Sequence, residues 1–236
     1  MSGKILFVLT SHDRLGSTGQ KTGFHFSEMS DPYFILEDNG VKVSIASIKG
    51  GAPPADPESV DHENSSDTPE SVKRFLDDLQ AADKLEHSLK LEDVIADDFD
   101  GLYLPGGHGT MWDFSNNKTL AKLVSDFWSQ GKIVASVCHG AAGLLDAIDI
   151  NGEALVKNRE VNSFTDEEER KIKKDSIMPF LLESRIRELG GKFEKVDPFQ
   201  GIVVTDGQLI TGQNPPSAPK VAYQMLNQLG TGKKST

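Results

Sequence analysis

The chain has 236 residues, a hydrophobic fraction of 37%, a charged fraction of 26% and a formal net charge of -11. Such a composition buries a substantial core and excludes intrinsic disorder. The excess of 36 acidic over 25 basic residues repels phosphate backbones and anionic lipid, so nucleic acid and membrane are not expected partners.

The N-terminal run KILFVLT reads as a first strand. It is too short to span a bilayer, and no small-residue cleavage site comes after it, so the expected location is cytoplasmic. A helix is predicted over Ser27 to Asn39, stopped by Gly40, and leads into the strand VKVSIAS. Residues 49–97 then break the rhythm. A Gly/Pro/Asp-rich loop precedes one helical stretch around Ser71 to Gln80, which reads as an inserted cap or lid.

The strands DGLYLP and KIVASVC flank a helix predicted over Thr119 to Gln130 and stopped by Gly131; IVVT and QLITG come later in the chain. Strands alternating with helices predict an α/β fold with a mostly parallel, helix-covered sheet. One domain over 1–230 with a flexible tail at 231–236 is the expected organisation.

The chemistry concentrates in KIVASVCHGAAGLL, where a buried-strand pattern runs into Cys138-His139-Gly140 with small residues crowding the turn. A residue on such an elbow projects from the carboxyl end of its strand, and a helix starting there aims free N–H groups at it. A thiol placed there is expected to have a lowered pKa. Cys138 is the only cysteine, so it forms no internal disulfide, and it is the candidate nucleophile.

The six histidines are His12, His25, His62, His87, His108 and His139, so none lies beyond the elbow. That order disfavours papain-like proteases and glutamine amidotransferases, whose histidine comes after the cysteine. The base is His139, an upstream histidine or a carboxylate. A second strand ends in Pro105-Gly106-Gly107-His108-Gly109. Neighbouring parallel strands share one crevice at their carboxyl ends, so the amides of Gly107 and His139 are candidate oxyanion donors, with His108 and His25 lining the pocket. No cluster with metal-ligand spacing is legible, and no cofactor is expected.

Together PGGHGTMWDF, IVASVCHG, FTDEEE and ITGQNP resemble the ThiJ/PfpI superfamily, which shares the class I glutamine amidotransferase-like fold. The resemblance spans essentially the whole chain. It is strongest to the heat-shock-chaperone-like branch with glutathione-independent glyoxalase III activity, which implies a flavodoxin-like three-layer sandwich, a homodimer and no cofactor. It also implies a D-lactate dehydratase-type lyase that converts methylglyoxal, a small dicarbonyl, to lactate through a cysteine hemithioacetal.

By that resemblance Cys138 is the nucleophile, His139 the adjacent triad histidine, Glu169 the acidic third member and Glu28 a separate carboxylate near the thiol. Read by itself, Glu28 sits where a helix start favours an acid, and Glu169 ends a run that resembles a solvated helix beginning. The alternatives carried by the same resemblance are a holding chaperone for unfolded proteins and a protein deglycase. A cysteine peptidase or amidase is a weaker one.

Overall fold

The computed structural model describes residues 3–60 and 68–230. Its strands are β1 (Lys4–Leu9), β2 (Lys42–Ser47), β3 (Leu89–Lys90), β4 (Gly101–Leu104), β5 (Ile133–Val137), β6 (Glu160–Val161), β7 (Lys192–Phe193), β8 (Val203–Asp206) and β9 (Leu209–Gly212). Its α-helices are α1 (Phe26–Glu37), α2 (Glu70–Asp77), α3 (Leu79–Glu86), α4 (Thr110–Asp113), α5 (Lys118–Ser129), α6 (Asp166–Lys171), α7 (Leu182–Glu188) and α8 (Ala218–Gln228).

Seven strands form one sheet in the order β3-β2-β1-β4-β5-β9-β8, and only the β8–β9 pair is antiparallel. β6 and β7 form a separate parallel pair. Both faces of the main sheet are covered, which explains why its strands read as continuous apolar runs. Along β1, Ile5, Phe7 and Leu9 enter one core with Met29 and Leu36 of α1 and Val221 of α8. Leu6 and Val8 enter the other, with Leu120 and Phe127 of α5 and Ile186 of α7. Each fully buried Leu, Ile or Phe contributes on the order of 1.5–3 kcal/mol, so this two-sided alternation fixes strand register.

The expected α1 and α5 are present, and Gly40 and Gly131 succeed them with φ of 80° and 69°, the left-handed geometry their position requires. The inserted segment differs from expectation. Its helical stretch is two helices, because Asp78 ends α2 in an extended conformation and its carboxylate accepts from the Gln80 and Ala81 amides to start α3. Residues 61–67 of the expected lid and the expected tail at 231–236 lie outside the described residues. Among the described residues no helix is long and apolar enough to cross a membrane.

Candidate active site

The carboxyl ends of β4 and β5 lie side by side, paired from Gly101↔Ile133 to Leu104↔Ser136. β5 ends at Val137, and the next residue, Cys138, has φ 55°, a left-handed conformation uncommon for a side chain with a Cβ. This turn points the thiol out of the strand into a cavity of about 380 Å³. Gly140 allows the turn to press against β4, since a Cβ there would overlap the Leu104 carbonyl. Gly140→Ala is therefore expected to cost about 3 kcal/mol, read as a lowered Tm or as loss of soluble protein.

The elbow differs from expectation in one respect. The strand runs into a seven-residue 3-10 turn, Cys138–Leu144, rather than into an α-helix. The thiol is buried and its pKa is pushed well up, first by burial and then by the charge of Glu28, with the His139 amide opposing both. The expected lowering is not found.

Cys138 Sγ lies 3.3 Å from His139 Nδ1, and His139 Nε2 lies 2.6 Å from Glu169 Oε2. The other oxygen of Glu169 lies 3.0 Å from His108 Nε2. Burial works to raise the Glu169 carboxyl, but the two imidazoles outweigh it and hold Glu169 well below the ordinary carboxylate range. An ionised Glu169 only accepts, so both Nε2 atoms carry hydrogen. In the neutral ring His139 Nδ1 is then left as the acceptor for the thiol proton. Burial, with His139 beside it, lowers the pKa of His108. Phe164 packs on the His139 ring at 4.6 Å.

Glu28, in the first turn of α1, is completely buried. Its Oε2 accepts from the Gly106 amide at 2.7 Å, while Oε1 has no partner of hydrogen-bonding geometry and the carboxyl acts on the Cys138 thiol. Desolvation raises it from 4.5 to about 8, against the smaller opposing pulls of the thiol and the Gly106 amide. Glu28 thus holds its proton at neutral pH. Gly106 is required at this contact, because a Cβ would sit 2.7 Å from Glu28 Oε2 and 2.8 Å from the His139 nitrogen.

The structure therefore brings together all four residues expected to act, Cys138, His139, Glu169 and Glu28. Gly107 and His108 also line the cavity, as does His25, whose Nδ1 lies 3.2 Å from Ser27 Oγ. No metal-ligand spacing was legible in the sequence, but the fold brings His108, His139 and Glu169 together, with ligand atoms within 4.8 Å of one another. They come from the loop after β4, the turn after β5 and helix α6, so no sequence spacing announced them. Two imidazole nitrogens and a carboxylate suit a divalent transition ion.

Two features escaped sequence reasoning. Glu168, fully buried, accepts from the amides of Thr165 and Phe199 and from the side chains of Thr165, Gln213 and Asn214. Its signal was present as the capping-box spacing Thr165-x-x-Glu168, hidden in a run of acids. The cavity wall made by Ser59, Ile172, Lys174 and Phe199 carries no local motif.

Fold and site define an α/β protein with a buried cysteine–histidine–glutamate chain on a strand elbow. The chain belongs to the DJ-1/PfpI family, whose profile matches residues 20–228. It is 30% identical over 230 residues to Glyoxalase 3 of Candida albicans, covering 94% of this chain and 97% of that protein. It is 31% identical over 237 residues to the glutathione-independent glyoxalase HSP31 of Saccharomyces cerevisiae, covering 96% and 98%. Among solved structures, the Rapid Encystment Protein 24 KDa of Francisella tularensis superposes with a TM-score of 0.90 at 35% identity over 97% of this chain and 99% of that one. Glyoxalase III from Candida albicans gives a TM-score of 0.83 at 29% identity over 95% and 96%.

Proposed function

We propose that this protein is a glutathione-independent glyoxalase III, a cofactor-independent lyase that converts methylglyoxal to lactate with Cys138 as nucleophile. The observation that carries this reading is the wholly buried Glu28, whose carboxyl interacts with the Cys138 thiol while one of its oxygens has no partner and whose pKa burial raises to about 8. Peptide cleavage needs a nucleophile and one base. An internal redox shift also needs a group that takes a proton from carbon and returns it one atom away, and a carboxyl tuned close to neutral pH suits that task.

In this mechanism His139 Nδ1 takes the thiol proton, and Sγ adds to the aldehyde carbon to form a hemithioacetal. Its oxyanion is stabilised by the amides of His139 and Gly107. Glu28 or His139 moves the former aldehyde proton to the ketone carbon through an enediol, leaving a thioester of lactate. Water releases the acid and frees Sγ. Glu169 keeps His139 in the tautomer that faces the thiol, as the orienting carboxylate does in other nucleophile–histidine sites.

The reactive form has lost one proton from the Cys138–Glu28 pair, so kcat/KM is expected to rise with pH through about 8. A profile flat between pH 6 and 9 contradicts that assignment. The direct test is lactate formation from methylglyoxal by purified protein without glutathione. Turnover unchanged by added glutathione supports the reading, and absence of lactate overturns it.

A further inference from the structure

Phe199 lines the same cavity as Cys138, yet it is 43% exposed and has φ 65°. It stands in a turn, Asp197-Pro198-Phe199-Gln200, closed by the Gln200 amide donating to the Asp197 carbonyl at 3.1 Å. With proline in the second position and positive φ in the third, that third position ordinarily takes glycine or asparagine. A phenylalanine there pays a steric penalty without gaining burial, which is the mark of a functional side chain.

The surroundings hold it in place. The Phe199 amide donates to Glu168 Oε1 at 2.8 Å, and the next carbonyl, of Gln200, accepts from Asn214 Nδ2 at 2.8 Å. Rings then run from the reacting end outward: Phe164 lies 4.6 Å from His139, and Phe199 lies 6.5 Å from Phe164. Ile172 and Pro215 complete this apolar wall. A cavity of about 380 Å³ falls in the range that holds ligands far larger than methylglyoxal, a molecule of about five heavy atoms.

We infer that Phe199 is a specificity-determining residue and that the site selects 2-oxoaldehydes carrying a planar apolar substituent, with Glu168 as the positioning residue behind it. This rests on the glyoxalase reading above. With phenylglyoxal, Sγ adds to the aldehyde carbon, and that carbon loses its hydrogen as a proton and becomes the thioester carbon. The ketone carbon takes the proton and becomes the alcohol, and one water replaces Sγ to give mandelate. The oxidation of one carbon balances the reduction of its neighbour, and the phenyl ring lies along Phe164 and Phe199.

The test compares kcat/KM for phenylglyoxal and methylglyoxal in the wild type, Phe199→Gly, Phe199→Leu and Glu168→Gln. The wild type is expected to favour phenylglyoxal by at least about tenfold, and Phe199→Gly to remove about that factor. Phe199→Gly is also expected to melt at a higher temperature, because glycine relieves the turn. Phe199→Leu retains most of the preference, and Glu168→Gln shifts the ratio in the same direction as Phe199→Gly, a change that simple loss of stability does not produce. Methylglyoxal turnover with no preference, or with a ratio indifferent to Phe199→Gly, overturns this inference and leaves the glyoxalase reading standing. Turnover of neither compound overturns both.

Discussion

Glu28→Gln is expected to stabilise the protein increasingly as pH rises, while reducing turnover by about a thousandfold. Linkage sets the sign. The carboxyl is raised from 4.5 to about 8 in the fold, so between those values the folded state holds a proton that the unfolded chain has released. Stability from this group is complete below pH 4.5 and is lost as pH climbs towards 8. At pH 7 the loss is about 3 kcal/mol, and above pH 8 it approaches about 5 kcal/mol. Glutamine does not titrate and is nearly isosteric. Its carbonyl can keep the bond from the Gly106 amide, and its NH2 group takes the position of the unpartnered Oε1.

Denaturant unfolding of both proteins at pH 5, 7 and 9 checks this. A stability difference that widens with pH is the expected result, whereas a constant difference means that Glu28 is ionised in the fold and the proton-transfer role assigned to it fails. The trade of stability for a poised carboxyl is the pattern of an active site, where local rules are broken for chemistry.

The sheet was legible in the sequence because strands buried on both faces must be apolar throughout, and each of the six predicted runs became a strand of the main sheet. Helix ends were legible at Gly40 and Gly131 because left-handed caps select glycine. The break at Asp78 was not, since an aspartate reads equally as a solvated helix residue and as a cap. For the site, the elbow announced Cys138 and His139 through the small residues the turn needs. Glu28 and Glu169 came from family resemblance, because a carboxylate on a helix start has a sufficient local explanation.

The direction of the thiol shift was misjudged because it depends on burial and on Glu28, 110 positions away in the chain, rather than on the elbow alone. The His139–Glu169 pair came with the family resemblance, but the second arm of the fork, from Glu169 in α6 to His108 after β4, had no sequence signal. Phe199 was invisible for the opposite reason: a turn with proline in second place predicts glycine two residues after its start, and the exception is informative only once the cavity beside it is known.

Cys138→Ala is expected to abolish lactate formation, with a loss of about 10³ or more, and the double variant with Glu28→Gln is expected to lose no more than Cys138→Ala alone. Two groups serving one covalent intermediate act as a unit: without Sγ no hemithioacetal forms, and Glu28 has no carbon acid to deprotonate. Full additivity in that cycle means instead that Glu28 acts on a step that does not involve Cys138. A protein whose role is to hold unfolded chains loses nothing with the thiol, so suppression of aggregation by Cys138→Ala at wild-type level, with lactate formation absent in both proteins, moves the assignment to that activity. The same variant also probes the pair without any substrate. The thiol beside Glu28 lowers the carboxyl pKa while burial raises it, so its removal leaves burial less opposed and moves Glu28 above about 8. The pH-dependent loss of stability should then extend to higher pH than in the wild type, and a curve that ends earlier contradicts the contact between thiol and carboxyl on which the mechanism depends.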